Sequence, residues 1–220
     1  MNSTQRHLGS RLNVNFDIRQ SIAKALAAPG DRSSDFDLNP TAQIPAGQEL
    51  RAAGVLVPIV VRPSGARLLL TKRAPTLRHH PGQIAFPGGK VDERDDGPIM
   101  AALREANEEI ALPTDSAEIV GCLPPHETVT GFLATPVVAI VSNDFRPTPA
   151  LDEVAEVFEV PFRHVLDLTA YSIQSRRWRG EQRHYFTVPW GPYYIWGATA
   201  RMLHALADRM NEHADRSGLA

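Results

Sequence analysis

The chain has a single cysteine, Cys122, among 220 residues. An internal disulfide is therefore excluded, and a reducing compartment suits the chain. Cys122 sits in an apolar run from Ile119 to Leu123, where a buried, inert thiol is the plain reading. No apolar run reaches the 18 residues of a membrane span, and no apolar h-region marks a secretory signal. Repeats and low-complexity tracts are also missing. Charge of either sign is not in excess: 23 Lys and Arg stand against 25 Asp and Glu, a formal net charge of −2. That balance gives no support to a nucleic-acid or membrane partner. The first sixteen residues lack acids and carry Arg6 and Arg11, a faint likeness to a transit peptide, and a cytoplasmic protein is the expectation. What is present is a chain 43% hydrophobic, long enough to bury a good core as one domain.

One further absence is local. From Arg67 to Lys90 there is no acidic residue, but there are Arg67, Lys72, Arg73, Arg78 and Lys90. From Val91 to Glu118 the balance reverses, with nine acids against Arg94 and Arg104. The reversal includes a predicted helix. Gly97-Pro98 opens it, because Pro at the first helical position forfeits only a hydrogen bond that would be unmade there. Leu112-Pro113 closes it, because the residue before Pro is pushed out of helical space. Helical rotation puts Ile99, Leu103, Ala106 and Ile110 on an apolar side. Glu105, Glu108 and Glu109, at i, i+3 and i+4, converge on the other side. Like charges so spaced destabilise a helix by roughly 0.2–0.5 kcal/mol per pair. A hard divalent cation removes that penalty, since Mg²⁺ and Mn²⁺ prefer oxygen ligands; a merely solvated acidic face is the alternative. A basic, Gly-rich loop running into an acidic helix suits a metal–diphosphate site, with cations and loop N–H groups for the phosphates and carboxylates for the metal.

Gly89, Arg104-Glu105 and Glu108-Glu109 resemble the Nudix hydrolase box: a Gly, five residues, Glu, seven residues, then Arg-Glu-apolar-x-Glu-Glu-x-Gly-apolar. Upstream, Leu69-Leu70-Thr71, Arg73, Arg78, Gly82 and Phe86-Pro87-Gly88-Gly89 resemble the signature of the coenzyme A diphosphatase branch. The match departs in four places. Asp95 stands where the box has Glu, one extra residue precedes Arg104, Ala111 replaces the closing Gly, and Ala74 replaces the branch's usual Ser. None of these removes a carboxylate of the helix. A left-handed Ala111 would cost about 1 kcal/mol.

Elsewhere, Asp17-Ile18-Arg19-Gln20 reads as a capping box opening a short helix to about Ala27. Residues 29–49 read as loop or linker. Gly54 to Val61 and Arg67 to Thr71 read as a hairpin around Pro63-Ser64-Gly65. Ala117 to Leu123 and Pro136 to Val141 read as strands, and the loop between them carries His126, expected at the surface. Around Glu153, Glu156 and Glu159 helix and strand compete, and Val157 to Pro161 favours strand. Arg176 to Val188 reads as a hairpin turning at Arg179-Gly180-Glu181. Trp190, Tyr193, Tyr194 and Trp196 read as core-edge packing, with base stacking as the alternative. Gly197 to Met210 reads as an amphipathic helix, and residues from 212 onward as a fraying tail.

The resemblance implies an α/β fold, the Nudix α/β/α sandwich with a mixed central sheet. Residues 1–50 would add an N-terminal helix and linker, 51–211 would form the domain, and 212–220 a tail. It implies metal-dependent hydrolysis of the diphosphate of coenzyme A or acyl-coenzyme A. Glu105, Glu108 and Glu109 would hold Mg²⁺ or Mn²⁺. Arg104 would fix Glu105, and Glu153, with Glu127 second, would serve as a further ligand or base. Arg73, Arg78, Gly82, Phe86, Gly88 and Gly89 would meet the substrate, with Arg78 the first choice for its 3′-phosphate. Another nucleoside diphosphate such as ADP-ribose or NADH, and a non-catalytic sensor on the same scaffold, are the competing readings. The oligomeric state is left open, a homodimer being one option.

Overall fold

The computed structural model describes residues 18–39, 49–178 and 180–217. The capping box expected at Asp17 lies outside them. Helix α1 occupies 18–27 and buries Ile22 and Ala25. The strands are β1 (Ser33–Ser34), β2 (Arg51–Arg62), β3 (Gly65–Arg73), β4 (Ile84–Ala85), β5 (Gly88–Lys90), β6 (Ala117–Cys122), β7 (His126–Glu127), β8 (Phe132–Val141), β9 (Val154–Pro161), β10 (Ser172–Trp178) and β11 (Glu181–Thr187). The remaining helices are α2 (Pro98–Ile110), α3 (Phe162–Leu166) and α4 (Gly197–Ser217). Among the described residues no helix is long and apolar enough to cross a membrane.

Nine strands make one mixed sheet, ordered β1-β7-β8-β2-β3-β4, with β5 also on β2, β6 on β8 and β9 on β3. Its centre is the parallel pair of β2 and β8, in register from Arg51 opposite Phe132 to Val60 opposite Val141. β2 and β3 form the expected hairpin, and β9 lies antiparallel on β3 with a bulge at Lys72/Arg73. β10 and β11 form a separate antiparallel hairpin. Its expected turn residue Arg179 lies outside the described residues.

Period-two alternation puts one set of side chains on each face of the sheet. Leu56, Val60, Leu69, Val137 and Ala139 meet α2 through Ala102, Leu103, Ala106 and Ile110. Val57, Ile59, Leu68, Leu70 and Val138 face the other way, toward α1, α3 and α4. Covered on both faces, the central strands read as nearly unbroken apolar runs. This is the α/β/α sandwich. Pro58 is tolerated inside β2 because of where it falls. Leu56 N–H bonds Pro87 O, so a donor two residues on would point to the same side, beyond the β5 pairing and just before the β3 pairing begins at Ile59.

Several expectations change at the ends of elements. Ile99, placed on the apolar side by helical rotation, is 40% exposed, because the helix seats on β2 at Gly54 through Pro98 and Ala102 instead. His126 is not on the surface: it is fully buried in β7. Ser33 Oγ lies 2.9 Å from its Nδ1 and Asp35 Oδ1 lies 3.1 Å from its Nε2. That relay ties 33–39, read from sequence as linker, onto the sheet, and β1 pairs in parallel with β7. The tail from 212 is helical as far as Ser217.

Helix α2 approaches β2 so closely that a Cβ on Gly54 would fall inside the Pro98 carbonyl. Gly54→Ala should therefore cost about 1–3 kcal/mol or more by overpacking. Urea unfolding should show a reduced midpoint with an unchanged slope; an unchanged midpoint would mean that α2 is not seated there.

Candidate active site

The site begins at β5, which is only three residues long and pairs antiparallel with β2, Gly88 opposite Val55 and Gly89 opposite Gly54. The chain then runs through 91–97 into α2. Gly97 takes φ 83, which only glycine adopts cheaply, and Pro98 follows at the first turn. At the other end Ala111 is left-handed, φ 56, as its place in the box requires. Leu112 N–H bonds Ala106 O and Ala111 N–H bonds Asn107 O, satisfying the last carbonyls.

Arg104 organises the acidic face. Its Nε donates to Asp95 Oδ1 at 3.0 Å and its Nη2 to Asp95 Oδ2 at 2.9 Å. Its Nη1 donates to Glu105 at 2.8 Å and to Glu108 at 3.0 Å, and Nη2 also reaches Lys90 O. One guanidinium thus joins the loop, β5 and two carboxylates. Asp95 stands where the box has Glu, and the fork-to-fork pair is still made. Its carboxyl is held down at about 2, chiefly by Arg104 and then by Asp92 N–H.

Glu109 is the outlier. It is 4% exposed, and its Oε2 accepts a hydrogen bond from Gly88 N–H at 3.3 Å. Burial pushes its carboxyl up to about 8, with the Glu105 charge adding to the shift and Arg73 and Gly88 N–H opposing it. Burial also raises Glu105, against the pull of Arg104. The charge of Glu153, at the turn into β9, reaches both. The bare Gly89 lets the Glu105 carboxylate lie against β5, where a Cβ would displace it.

Among the described residues no three His, Cys, Asp or Glu side chains are already drawn into a ligand set. The donor chemistry nevertheless fits a hard divalent cation. All donors are carboxylates, one of them is buried with one weak hydrogen bond, and each raises the cost of ionising its neighbour.

On the other side of β5 lies a cavity of about 420 Å³. Phe86, Gly88, Gly89 and Arg73, all expected at the substrate, line it. Arg73 brings a buried Nε with no hydrogen-bond partner among the described residues. Gly82, φ 70, closes the 74–82 loop through its N–H to Arg73 O but does not line the cavity. Arg78 is exposed on that loop, outside the wall. Glu127, the second choice for a base, is buried in β7 and also outside it. The aromatic group divides: Tyr193 stacks on core Phe158 at 3.6 Å, whereas Trp196 faces the cavity. Lys90, one of the cations of the basic segment, also lines the wall, and so do Arg176, Arg183 and residues of 33–39, for which the sequence suggests no site role. The basic run at 176–183 was visible, but the direction it faces depends on the hairpin's seating.

Comparison with known proteins gives a consistent result. A NUDIX domain matches residues 50–186. A protein of Cronobacter sakazakii named "Uncharacterized Nudix hydrolase NudL" is 47% identical over 162 residues, 74% of this chain and 84% of the relative. A protein of the same name from Escherichia coli is 45% identical over 157 residues, 71% and 81% of the two chains. Among solved structures, the Nudix hydrolase RenU of M. smegmatis is 29% identical, with a TM-score of 0.46 over 53% of this chain and 74% of that one.

The raised Glu109 has a measurable consequence in metal-free protein. Below its ordinary value of 4.5 both folded and unfolded states hold the proton; between 4.5 and about 8 the folded state alone holds it. Stability attributable to Glu109 is therefore lost as pH rises through that window and is gone above about 8. With chelator present, Glu109→Gln should melt higher than the parent at pH 8 and no higher at pH 4. Parallel melting curves across that range would refute the shift.

Proposed function

The chain belongs to the Nudix hydrolase family, hydrolases of diphosphate linkages in nucleoside derivatives, and from that premise we propose that its substrate is coenzyme A or an acyl-coenzyme A. The products would be 4′-phosphopantetheine, acylated where the substrate is, and adenosine 3′,5′-bisphosphate. The observation that carries this reading is the pairing, across the two glycines of β5, of a cation-bearing, largely apolar cavity with the carboxylates of α2. It is joined by the branch-like residues from Leu69 to Gly89.

Glu105, Glu108 and Glu109 would hold Mg²⁺ or Mn²⁺. Bound there, the cation would neutralise diphosphate charge and make water more acidic. Arg104 holds Glu105 and Glu108 in fixed orientation, so neither has to reorganise when substrate arrives. Arg73, whose charge reaches Glu109, and Lys90, which also pairs with Asp92 at 2.8 Å, lie in the cavity wall and offer positive charge to the phosphate oxygens. Phe86, Val55 and Phe132 provide apolar surface that keeps water from the pantetheine arm. In the reaction a water oxygen bonds to phosphorus, the bridging P–O bond breaks, and the water's proton passes to a carboxylate. Glu153 is the candidate acceptor, being exposed and electrostatically linked to Glu105 and Glu109.

Hydrolysis in ¹⁸O-labelled water with Mg²⁺ or Mn²⁺ should place the label in a phosphate of one product. Coenzyme A should be turned over in preference to ADP-ribose or NADH. Glu109→Gln should fold and lose at least ~10²-fold in kcat. Preferred hydrolysis of ADP-ribose would replace the substrate assignment, and ligand binding with no turnover at any metal concentration would favour a sensor.

A further inference from the structure

We propose that the β10–β11 hairpin carries a second anion site, in which Arg176 and Arg183 receive a phosphate group of the substrate separate from its diphosphate. The inference rests on the reading of the cavity as a substrate site and adds to it which groups set specificity.

Arg176 and Arg183 stand directly opposite each other across the hairpin, and both line the cavity. Like charges directly opposed on one face of a β-ladder are destabilising. The hairpin bears that cost at the one rung where both residues reach the cavity. On the adjoining rungs Ser175 faces His184 and Arg177 faces Gln182, and two rungs away Gln174 faces Tyr185. A bound dianion between two guanidinium groups turns the repulsion into two charge-assisted contacts.

The surroundings agree. Among the described residues the cavity wall has Arg73, Lys90, Arg176 and Arg183 against a single acid, Asp35, although the chain as a whole is net negative. Asp35 is already engaged, by His126 Nε2 and by Val129 N–H at 2.9 Å. Arg73, whose charge reaches Glu109, and Lys90, which follows the two glycines of β5 and also pairs with Asp92 at 2.8 Å, lie nearest the carboxylates in sequence or charge and are assigned to the diphosphate. Arg176 and Arg183 come from a different sheet and provide charge that a diphosphate alone does not need.

Both arginines are also held in place. The Arg176 guanidinium lies over the Trp196 ring, 4.5 Å from its centroid, and Tyr185 meets that ring edge-on at 5.1 Å. Glu181 stands 3.7 Å from Arg183 on the exposed side. The strand itself is pinned by Asn39, whose Nδ2 donates to His184 O at 2.9 Å and whose Oδ1 accepts from His184 N–H at 2.8 Å. A site so fixed loses little entropy on binding.

The test compares coenzyme A with dephospho-coenzyme A, which lacks the 3′-phosphate. The parent protein should favour coenzyme A in kcat/KM by about tenfold to a hundredfold, the range of a charged hydrogen bond. In Arg176→Ala and Arg183→Ala that ratio should fall toward one, mainly through KM, and Arg176→Lys should restore part of it. Arg177→Ala, one rung residue away and outside the cavity wall, should keep the parent ratio. A ratio unchanged in both alanine variants would overturn the site while leaving coenzyme A as substrate. Should neither compound be hydrolysed while ADP-ribose is, the substrate reading fails instead. Calorimetry then decides the site alone: tighter binding of adenosine 3′,5′-bisphosphate than of adenosine 5′-phosphate, lost in the alanine variants, sustains it, and equal binding overturns it.

Discussion

The architecture of the site depends on how closely helix α2 can lie against β2 and β5. Gly54 and Gly89 leave no side chain between them, since a Cβ at Gly54 would overlap the Pro98 backbone and one at Gly89 would meet the Glu105 carboxylate, while the bare Gly88 lets β5 close on Gly54 and Val55 of β2. Because the helix is pressed so near, the Glu105 carboxylate lies against Gly89 and Glu109 reaches the Gly88 N–H. The same closeness buries Glu109 and raises its proton affinity. A thicker spacer would relieve that burial, and would also remove the carboxylates from the wall they share with the cavity.

Charge is sorted on the two sides of this thin partition. On the helix side Arg104 holds three acids, Asp95, Glu105 and Glu108, at once. It fixes their orientation but also satisfies part of their acceptor capacity, so the deeply buried Glu109 keeps the strongest unmet demand for positive charge. On the cavity side the sign is reversed. A phosphate ester with a bound cation is the natural occupant of such a boundary, since it carries negative oxygens toward one side and its counter-charge toward the other.

The parts legible in the sequence were those decided by local rules. Pro98 and Pro113 bracket α2, the i, i+3, i+4 spacing places its carboxylates, and the Val- and Leu-rich runs become the central strands. Ala111 adopts the left-handed geometry that its place in the box requires. What escaped was decided by tertiary contact. His126 is buried because Ser33 and Asp35 arrive from ninety residues away in sequence to bond it. Ile99 is uncovered because the helix seats on Gly54 of β2 through Pro98 and Ala102, not through Ile99. Arg78 stands exposed on the 74–82 loop, outside the cavity wall, whereas Arg73 at the β3 bulge lines it, a distinction that their neighbours in sequence do not make. Arg176 and Arg183 could be read as a basic turn, but only the seating of the hairpin on 33–39 aims them at the cavity.

The parallel pairing of β2 with β8 also governs how the molecule comes into being. Those strands are separated by β3, β4, β5, α2, β6 and β7, so their first contact must close a long loop before any ladder bond repays it. Topologies dominated by such distant pairings fold slowly, on the order of milliseconds to seconds for small domains. Helix α2 buries its apolar side on the surface that this pairing creates, so its carboxylates cannot be gathered ahead of it. A nascent chain therefore has no half-built site: hydrolytic competence and completion of the central sheet should arrive in the same kinetic step.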